Sequence, residues 1–264
     1  MKNTVGIFDS GLGGLTAAYE FENLFAGKKY IYFGDTARVP YGSKSKDTIC
    51  RYALQDTGFL ISKGASLIVA ACGTVSANAI EALRQRFSVP VIGVVEPAAE
   101  KAARIAAAGG GRVLVLGTEA TVKSGAYEKA ISAIDSNLCV KSVPCPMFVP
   151  LVENGYTEGA AAELFVREYL SPYLSYGADA VILGCTHYPH LSGVIGAFLG
   201  GSVLVNSGRE AAEAVSRLIT ADNAEDGKAE FYVSDAPESF ARLAGVFLKR
   251  DATEGVKCID IESY

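Results

Sequence analysis

A chain of 264 residues, half of them hydrophobic, can bury a sizeable core and is long enough for one large or two small domains. Its formal net charge is -5, and its 24 Lys and Arg are spread along the chain, which argues against a phosphate-neutralising surface and so against a nucleic-acid partner. No apolar stretch approaches the ~20 residues of a membrane span, and Met1-Lys2-Asn3-Thr4 runs into a strand pattern without a signal-peptide h-region, so the expected location is cytoplasmic.

In chain order, short apolar runs at 4–8, 30–33, 67–71, 89–94, 113–116, 181–183 and 203–205 end in Gly, Asp, Ser or Cys and predict strands. Between them, 15–25, 48–63, 76–87, 98–108 and 125–134 carry apolar residues at helical spacing. Such alternation predicts an α/β protein of parallel sheets covered by helices that serve as right-handed crossovers. A weak duplication emerges when the strands are aligned by their ends. Leu67-Ile-Val-Ala-Ala-Cys72-Gly-Thr74 and Ala180-Val-Ile-Leu-Gly-Cys185-Thr-His187 are both apolar strands that end in a cysteine followed by polar residues. Val5-Gly-Ile-Phe-Asp9 and Val113-Leu-Val-Leu-Gly117 form a second such pair, so two halves of similar layout are expected. Ligands of open parallel sheets sit beyond the carboxyl ends of strands, where both cysteines fall.

The six cysteines show neither a disulfide-scaffold spacing nor a CxxC pair, which predicts reduced thiols. Cys50, Cys139, Cys145 and Cys258 read as small buried apolar side chains. Cys72 and Cys185 suit a different task. Inverting an amino-acid stereocentre requires one acid/base group on each face of Cα, and a thiol with a reference pKa near 8.5 is readily tuned toward thiolate. Asp9 beside the first cysteine, and His187 with Glu153 beside the second, are candidates to hold or tune those protons. Asp9 reads equally well as an N-cap for the helix at 15–25.

Four segments resemble the signatures of bacterial glutamate racemases: Gly6-Ile-Phe-Asp9-Ser10-Gly11-Leu-Gly-Gly14, Tyr32-Phe-Gly-Asp35-Thr-Ala-Arg38-Val-Pro-Tyr41-Gly42, Pro146-Met-Phe-Val-Pro-Leu-Val-Glu153-Asn-Gly155 and Leu183-Gly-Cys185-Thr186-His187-Tyr-Pro189. The match runs in order from residue 5 to about 210, and more loosely beyond. It implies two similar parallel-sheet α/β domains, 1–97 plus 207–264 and 98–206, with the active site between them. It implies cofactor-independent conversion of L-glutamate to D-glutamate by two cysteine bases, supplying D-glutamate for peptidoglycan. Cys72, Cys185, Asp9, Glu153 and His187 match the family's catalytic set. Asp9, Ser10, Tyr41, Gly42, Gly73, Thr74, Thr118, Thr121, Thr186 and His187 fall at its substrate contacts. Neutral hydroxyl and amide donors suit a substrate with two carboxylates, and Asp9 suits its ammonium.

No lysine sits in a context that specifies pyridoxal phosphate and neither thiol needs a redox cofactor, so no cofactor and no metal are expected; short apolar segments predict no membrane association, and the resemblance makes glutamate the small-molecule partner. A homodimer is the open expectation for assembly. The short stretch before Thr4 sets an expectation of independence from a cell-wall-precursor activator. At one position the chain departs from the family, which usually has Asn after the first cysteine where this chain has Gly73. Losing a hydrogen bond to a charged group costs ~1.5–3 kcal/mol of binding unless a backbone amide, water or neighbour replaces it. Val39, where relatives often carry a small residue or cysteine, is expected to be harmless.

Other readings are weaker. Gly11-Leu-Gly13-Gly14 fails the GxGxxG dinucleotide pattern at Thr16. Cys185, His187 and His190 have an unusual spacing for zinc and lack a fourth ligand, and His190 reads as a surface or helix-start residue. A cysteine hydrolase would leave Cys72 without a task. A racemase of another amino acid such as aspartate, and a non-catalytic amino-acid-binding relative, are the remaining alternatives.

Overall fold

The computed structural model describes residues 3–250 and 255–264, so Met1 and Lys2 of the leader reading lie outside the described residues. Ten strands are described: β1 (Val5–Asp9), β2 (Tyr30–Gly34), β3 (Leu67–Ala70), β4 (Val91–Gly93), β5 (Arg112–Gly117), β6 (Cys139–Pro144), β7 (Ala180–Leu183), β8 (Val203–Asn206), β9 (Glu230–Val233) and β10 (Val256–Cys258). The helices are α1 (Leu15–Leu24), α2 (Lys46–Ser62), α3 (Gly73–Asn78), α4 (Ile80–Arg86), α5 (Val95–Ala107), α6 (Glu119–Ser124), α7 (Ala126–Ile134), α8 (Phe148–Glu153), α9 (Gly159–Leu170), α10 (Ser192–Leu199), α11 (Ser207–Leu218) and α12 (Pro237–Leu248). Among the described residues no helix is long and apolar enough to cross a membrane.

The strands form two sheets, ordered β10-β9-β2-β1-β3-β4 and β6-β5-β7-β8, and every pairing within them is parallel. The order β2-β1-β3-β4 recurs as β6-β5-β7-β8, so the duplication read from strand ends extends to whole four-stranded units. The first sheet then adds β9 and β10 on its β2 edge. The chain leaves the first sheet through α5 and returns through α11, and these two helices pack on each other.

Period-two alternation explains the layers, because parallel strands covered on both faces need apolar residues at every position. On β1 and β3, Val5, Ile7, Leu67 and Val69 share a core with Leu15, Phe21 and Val215, whereas Phe8, Ile68 and Ala70 share another with Ile49, Phe59 and Leu83. On β5 and β7, Leu114, Leu116, Val181 and Leu183 pack with Phe148, Val166 and Ile195, while Val113, Val115, Ala180 and Ile182 pack with α5 and α7.

All seven expected strands form. The expected helix at 76–87 is instead two, broken at Ala79, whose φ of -120° leaves the helical region. The reading of Cys139 and Cys258 as buried is corrected: both are exposed, on the edge strands β6 and β10, where one face meets solvent. Cys145 is buried and Cys50 half-buried, as that reading expects or nearly so.

Candidate active site

The repeat places two strand ends in correspondence. Val5 of β1 pairs with Leu67 of β3, and Val113 of β5 with Ala180 of β7. Cys72 and Cys185 each stand five positions beyond those partners, just past the carboxyl ends of β3 and β7. Both cysteines line one cavity of about 410 Å³, large enough for an amino acid, between the strand ends of the two sheets. Ser10, Tyr41, Gly42, Gly73, Thr74, Thr118, Glu153, Thr186 and His187 also line it.

The two sulfurs sit in unlike surroundings. Cys72 is 5% exposed, and its sulfur lies 3.8 Å from the Ser10 hydroxyl. Burial, reinforced by the charge of Asp9, pushes its thiol up to about 12. Cys185 lies 3.9 Å from Nδ1 of His187, whose Nε2 is 3.1 Å from Glu153 Oε1. Burial works against a charged imidazole, but Cys185, Glu153 and Asp9 together outweigh it and hold His187 up at about 10. His187 at neutral pH is therefore an imidazolium, a positive charge beside the Cys185 sulfur. Glu153 at the end of α8 is 44% exposed and carries this line of groups to solvent.

Asp9 is 1% exposed and is not among the cavity-lining residues. Its Oδ1 accepts the Gly11 amide at 2.9 Å and its Oδ2 the Thr186 hydroxyl at 3.4 Å, so it ties the first glycine loop to the second sheet. Burial pushes its carboxyl up, against the pull of His187 and the amides of Gly11 and Gly14. The N-cap of α1 is Gly14, without a side-chain cap, so Asp9 is not the capping residue, although it does take the Gly14 amide. Thr121 likewise stays outside the cavity. Its hydroxyl meets that of Thr118 at 3.0 Å, and Thr118 meets Thr74 at 3.0 Å, a row of hydroxyls that bridges the two sheets' loops. The Tyr41 hydroxyl is already committed to Asp35 and Asp56, which leaves its main chain to face a ligand.

Gly73 fills its place for a steric reason. A Cβ there would overlap the Gly184 carbonyl oxygen, so the strand end of Cys72 and that of Cys185 approach closely because position 73 has no side chain. The departure from the family's Asn is thus not a simple deletion of a hydrogen bond.

His190, read as a surface or helix-start residue, stands two positions before α10 and is half-buried, with Nε2 3.4 Å from the Thr16 hydroxyl and its ring 4.6 Å from that of Phe247. Burial and the neighbouring His187 push it down to about 4, so it is neutral. Val39, whose departure from relatives is expected to be harmless, lines the cavity at 48% exposure. Sequence reasoning also missed the apolar rim of Leu12, Pro40, Pro146, Val149 and Pro150. The signal available was the apolar composition of the Pro146–Val152 stretch, which reads as core until its proximity to the thiols is known. Among the described residues no cluster of three His, Cys, Asp or Glu could hold a metal ion.

Residues 24–215 match the family model for Asp/Glu/hydantoin racemases. The chain is 46% identical over 250 residues to a glutamate racemase of Geobacter metallireducens, covering 92% of each. Among solved structures it is similar to a glutamate racemase of Francisella tularensis in complex with D-glutamate, with a TM-score of 0.91 at 32% identity over 100% of this chain and 99% of that one. It is also similar to a Thermus thermophilus glutamate racemase in complex with β-chloro-D-alanine, with a TM-score of 0.89 at 40% identity over 100% and 99% of the two chains.

Proposed function

Since the chain belongs to the Asp/Glu/hydantoin racemase family and is an isomerase of its glutamate racemase branch, we propose that it interconverts L- and D-glutamate by a two-thiol proton transfer, without a cofactor. The observation that carries the mechanism is the pair of cysteines at corresponding strand ends, lining one cavity from two sheets with different acid/base neighbours. One sulfur, as thiolate, takes the Cα proton. The electron pair left on Cα then takes a proton from the opposite thiol, so the chirality inverts and thiol and thiolate exchange places.

With the imidazolium of His187 beside Cys185, and with burial and Asp9 keeping the proton on Cys72, the site favours abstraction by Cys185. This arrangement suits the enantiomer whose Cα proton faces Cys185, which by resemblance is L-glutamate. The reverse direction needs Cys72 as thiolate, and the substrate ammonium, placed near buried Asp9, would offset the burial that holds that thiol protonated. Ser10, Thr74, Thr118, Thr186 and the main chain at 41–42 supply neutral donors for the two carboxylates. By resemblance the loop containing Tyr41 and Gly42 takes the side-chain carboxylate. The division at 97/98 and 206/207, a cytoplasmic location and a role in supplying D-glutamate for peptidoglycan complete the reading.

Incubation of either enantiomer in heavy water tests it. Deuterium should appear at Cα together with inversion, and glutamate should be preferred over aspartate, whose carboxylate is one methylene too short for donors placed for the longer acid. Absence of exchange, or equal specificity constants for the two amino acids, would overturn the assignment.

A further inference from the structure

The cavity-lining loop 39–43 rests on a buried charged cluster that the proton-transfer scheme does not use. Asp35 follows β2 and Asp56 lies in the middle of α2, and both are fully buried. The Arg38 guanidinium reaches both of them, with Nε 2.6 Å from Asp35 Oδ2 and Nη2 3.0 Å from Asp56 Oδ1. Its Nη1 donates to Gln55 at 2.6 Å and to Glu262 at 3.1 Å, and the group lies 4.0 Å over the Tyr52 ring. Tyr41 donates its hydroxyl to the same two carboxylates, and Ser234 donates to Asp35 at 2.8 Å.

A buried cluster of this kind is a poor source of stability, because the desolvation of its charges offsets most of the attraction between them. What it does supply is direction. Arg38 and Tyr41 bracket the first half of the loop, and fixing both ends to one rigid pair of carboxylates fixes the main chain between them. On the far side, the Gly42 carbonyl accepts the Ala120 amide of α6 at 3.2 Å, and a Cβ on Gly42 would come within 3.0 Å of Thr118. The loop is therefore held from behind by Arg38 and in front by the second sheet's helix. Glu262 reaches Arg38 from 3₁₀ segment Ile261–Ser263, where Ile261 is buried in the same core as Tyr41.

We propose that Arg38 is a positioning residue that sets the main chain of loop 39–43 to receive the substrate's side-chain carboxylate, with Glu262 steadying it from outside. The inference rests on the reading above that this loop takes that carboxylate. Arg38 does not itself line the cavity, so its effect is on binding and not on proton transfer.

The test is steady-state kinetics of Arg38→Ala and Arg38→Lys on glutamate, beside elimination from β-chloroalanine, which has a leaving group but no side-chain carboxylate. Arg38→Ala should raise the KM for glutamate about ten- to hundredfold, the scale of one lost hydrogen bond to a charged group, with kcat changed little. Elimination from β-chloroalanine should keep its specificity constant. Arg38→Lys should fall between, because one ammonium cannot bridge both carboxylates. An unchanged KM in folded Arg38→Ala, or equal losses on both compounds, overturns the inference. If that variant does not fold, Gln55→Ala combined with Glu262→Ala frees only the outward nitrogen. A rise of about two- to fivefold in KM is then expected, and no rise refutes the proposal. A wild-type chain that fails to racemise glutamate refutes the proposed function instead, which keeps the two failures apart.

Discussion

The surroundings of Cys72 and Cys185 have the same backbone frame and opposite electrostatics. Each sulfur follows the carboxyl end of a strand paired to the first strand of its sheet, at the same offset. Around Cys72 there is a hydroxyl and, beneath it, a buried carboxyl that opposes ionisation. Around Cys185 there is an imidazolium linked to an exposed carboxylate. The difference teaches that a duplicated frame fixes where the two sulfurs stand, while loop residues decide which polar groups surround each.

The sharpest way to break the comparison is to remove one sulfur at a time. Cys72→Ser and Cys185→Ser should each lower racemisation about a thousandfold or more, because a serine hydroxyl cannot be ionised near neutral pH. Each should still eliminate chloride from one enantiomer of β-chloroalanine and not from the other, with opposite preferences, as abstraction alone suffices there. Full racemisation by either variant would refute the two-thiol scheme.

A smaller effect, about a hundredfold, is expected from His187→Asn, and it should fall more heavily on the direction served by Cys185. The sign with pH follows from the raised imidazole. A group whose folded value lies above its unfolded one contributes stability fully below the unfolded value, here 6.5, and loses it as pH rises through about 10. Loss of the imidazolium charge beside Cys185 should likewise lower the wild-type kcat, which reports the bound complex, above about pH 10, and that fall should be absent in His187→Asn. A pH–rate profile that is the same for both proteins would remove His187 from the scheme.

The smallest effect sharpens the contrast further. Glu153 is 44% exposed, so solvent screens its bond to His187, and Glu153→Gln should cost about two- to fivefold. It should also lower the pH at which the alkaline limb begins, because one of the contacts holding the imidazolium is gone. A loss as large as that of His187→Asn would mean that Glu153 acts directly on substrate.

Much of this frame is legible in the sequence. The seven expected strands are short apolar runs buried on both faces, which is why they stand out from the sequence. β6 was missed because Lys141 and Ser142 interrupt the apolar run of Cys139–Pro144, most of which is exposed or half-buried on an edge strand. β10 was missed for a related reason, being a three-residue, largely exposed edge strand, whereas β9 is buried and paired on both sides and its apolar Phe231-Tyr-Val233 run could have been read as a strand. The cysteines, His187 and Glu153 were found from chemistry and resemblance together. The retreat of Asp9 and Thr121 from the cavity was not legible, since spacing locates a residue on a loop but not the depth to which its side chain is buried. Nor was the Arg38 cluster, whose members come from four separate elements.

The contact between Gly73 and the Gly184 carbonyl joins two positions more than a hundred residues apart into one unit of sequence change. Neither can be altered as though the other were absent. Installing Asn at 73 alone meets an oxygen of the main chain, which no rotamer can avoid, so the cost falls on the path of the backbone at 184 and on the separation of the two strand ends. A side chain at 73 therefore requires a displacement of the second strand end. The free energies of changes at the two places will not add.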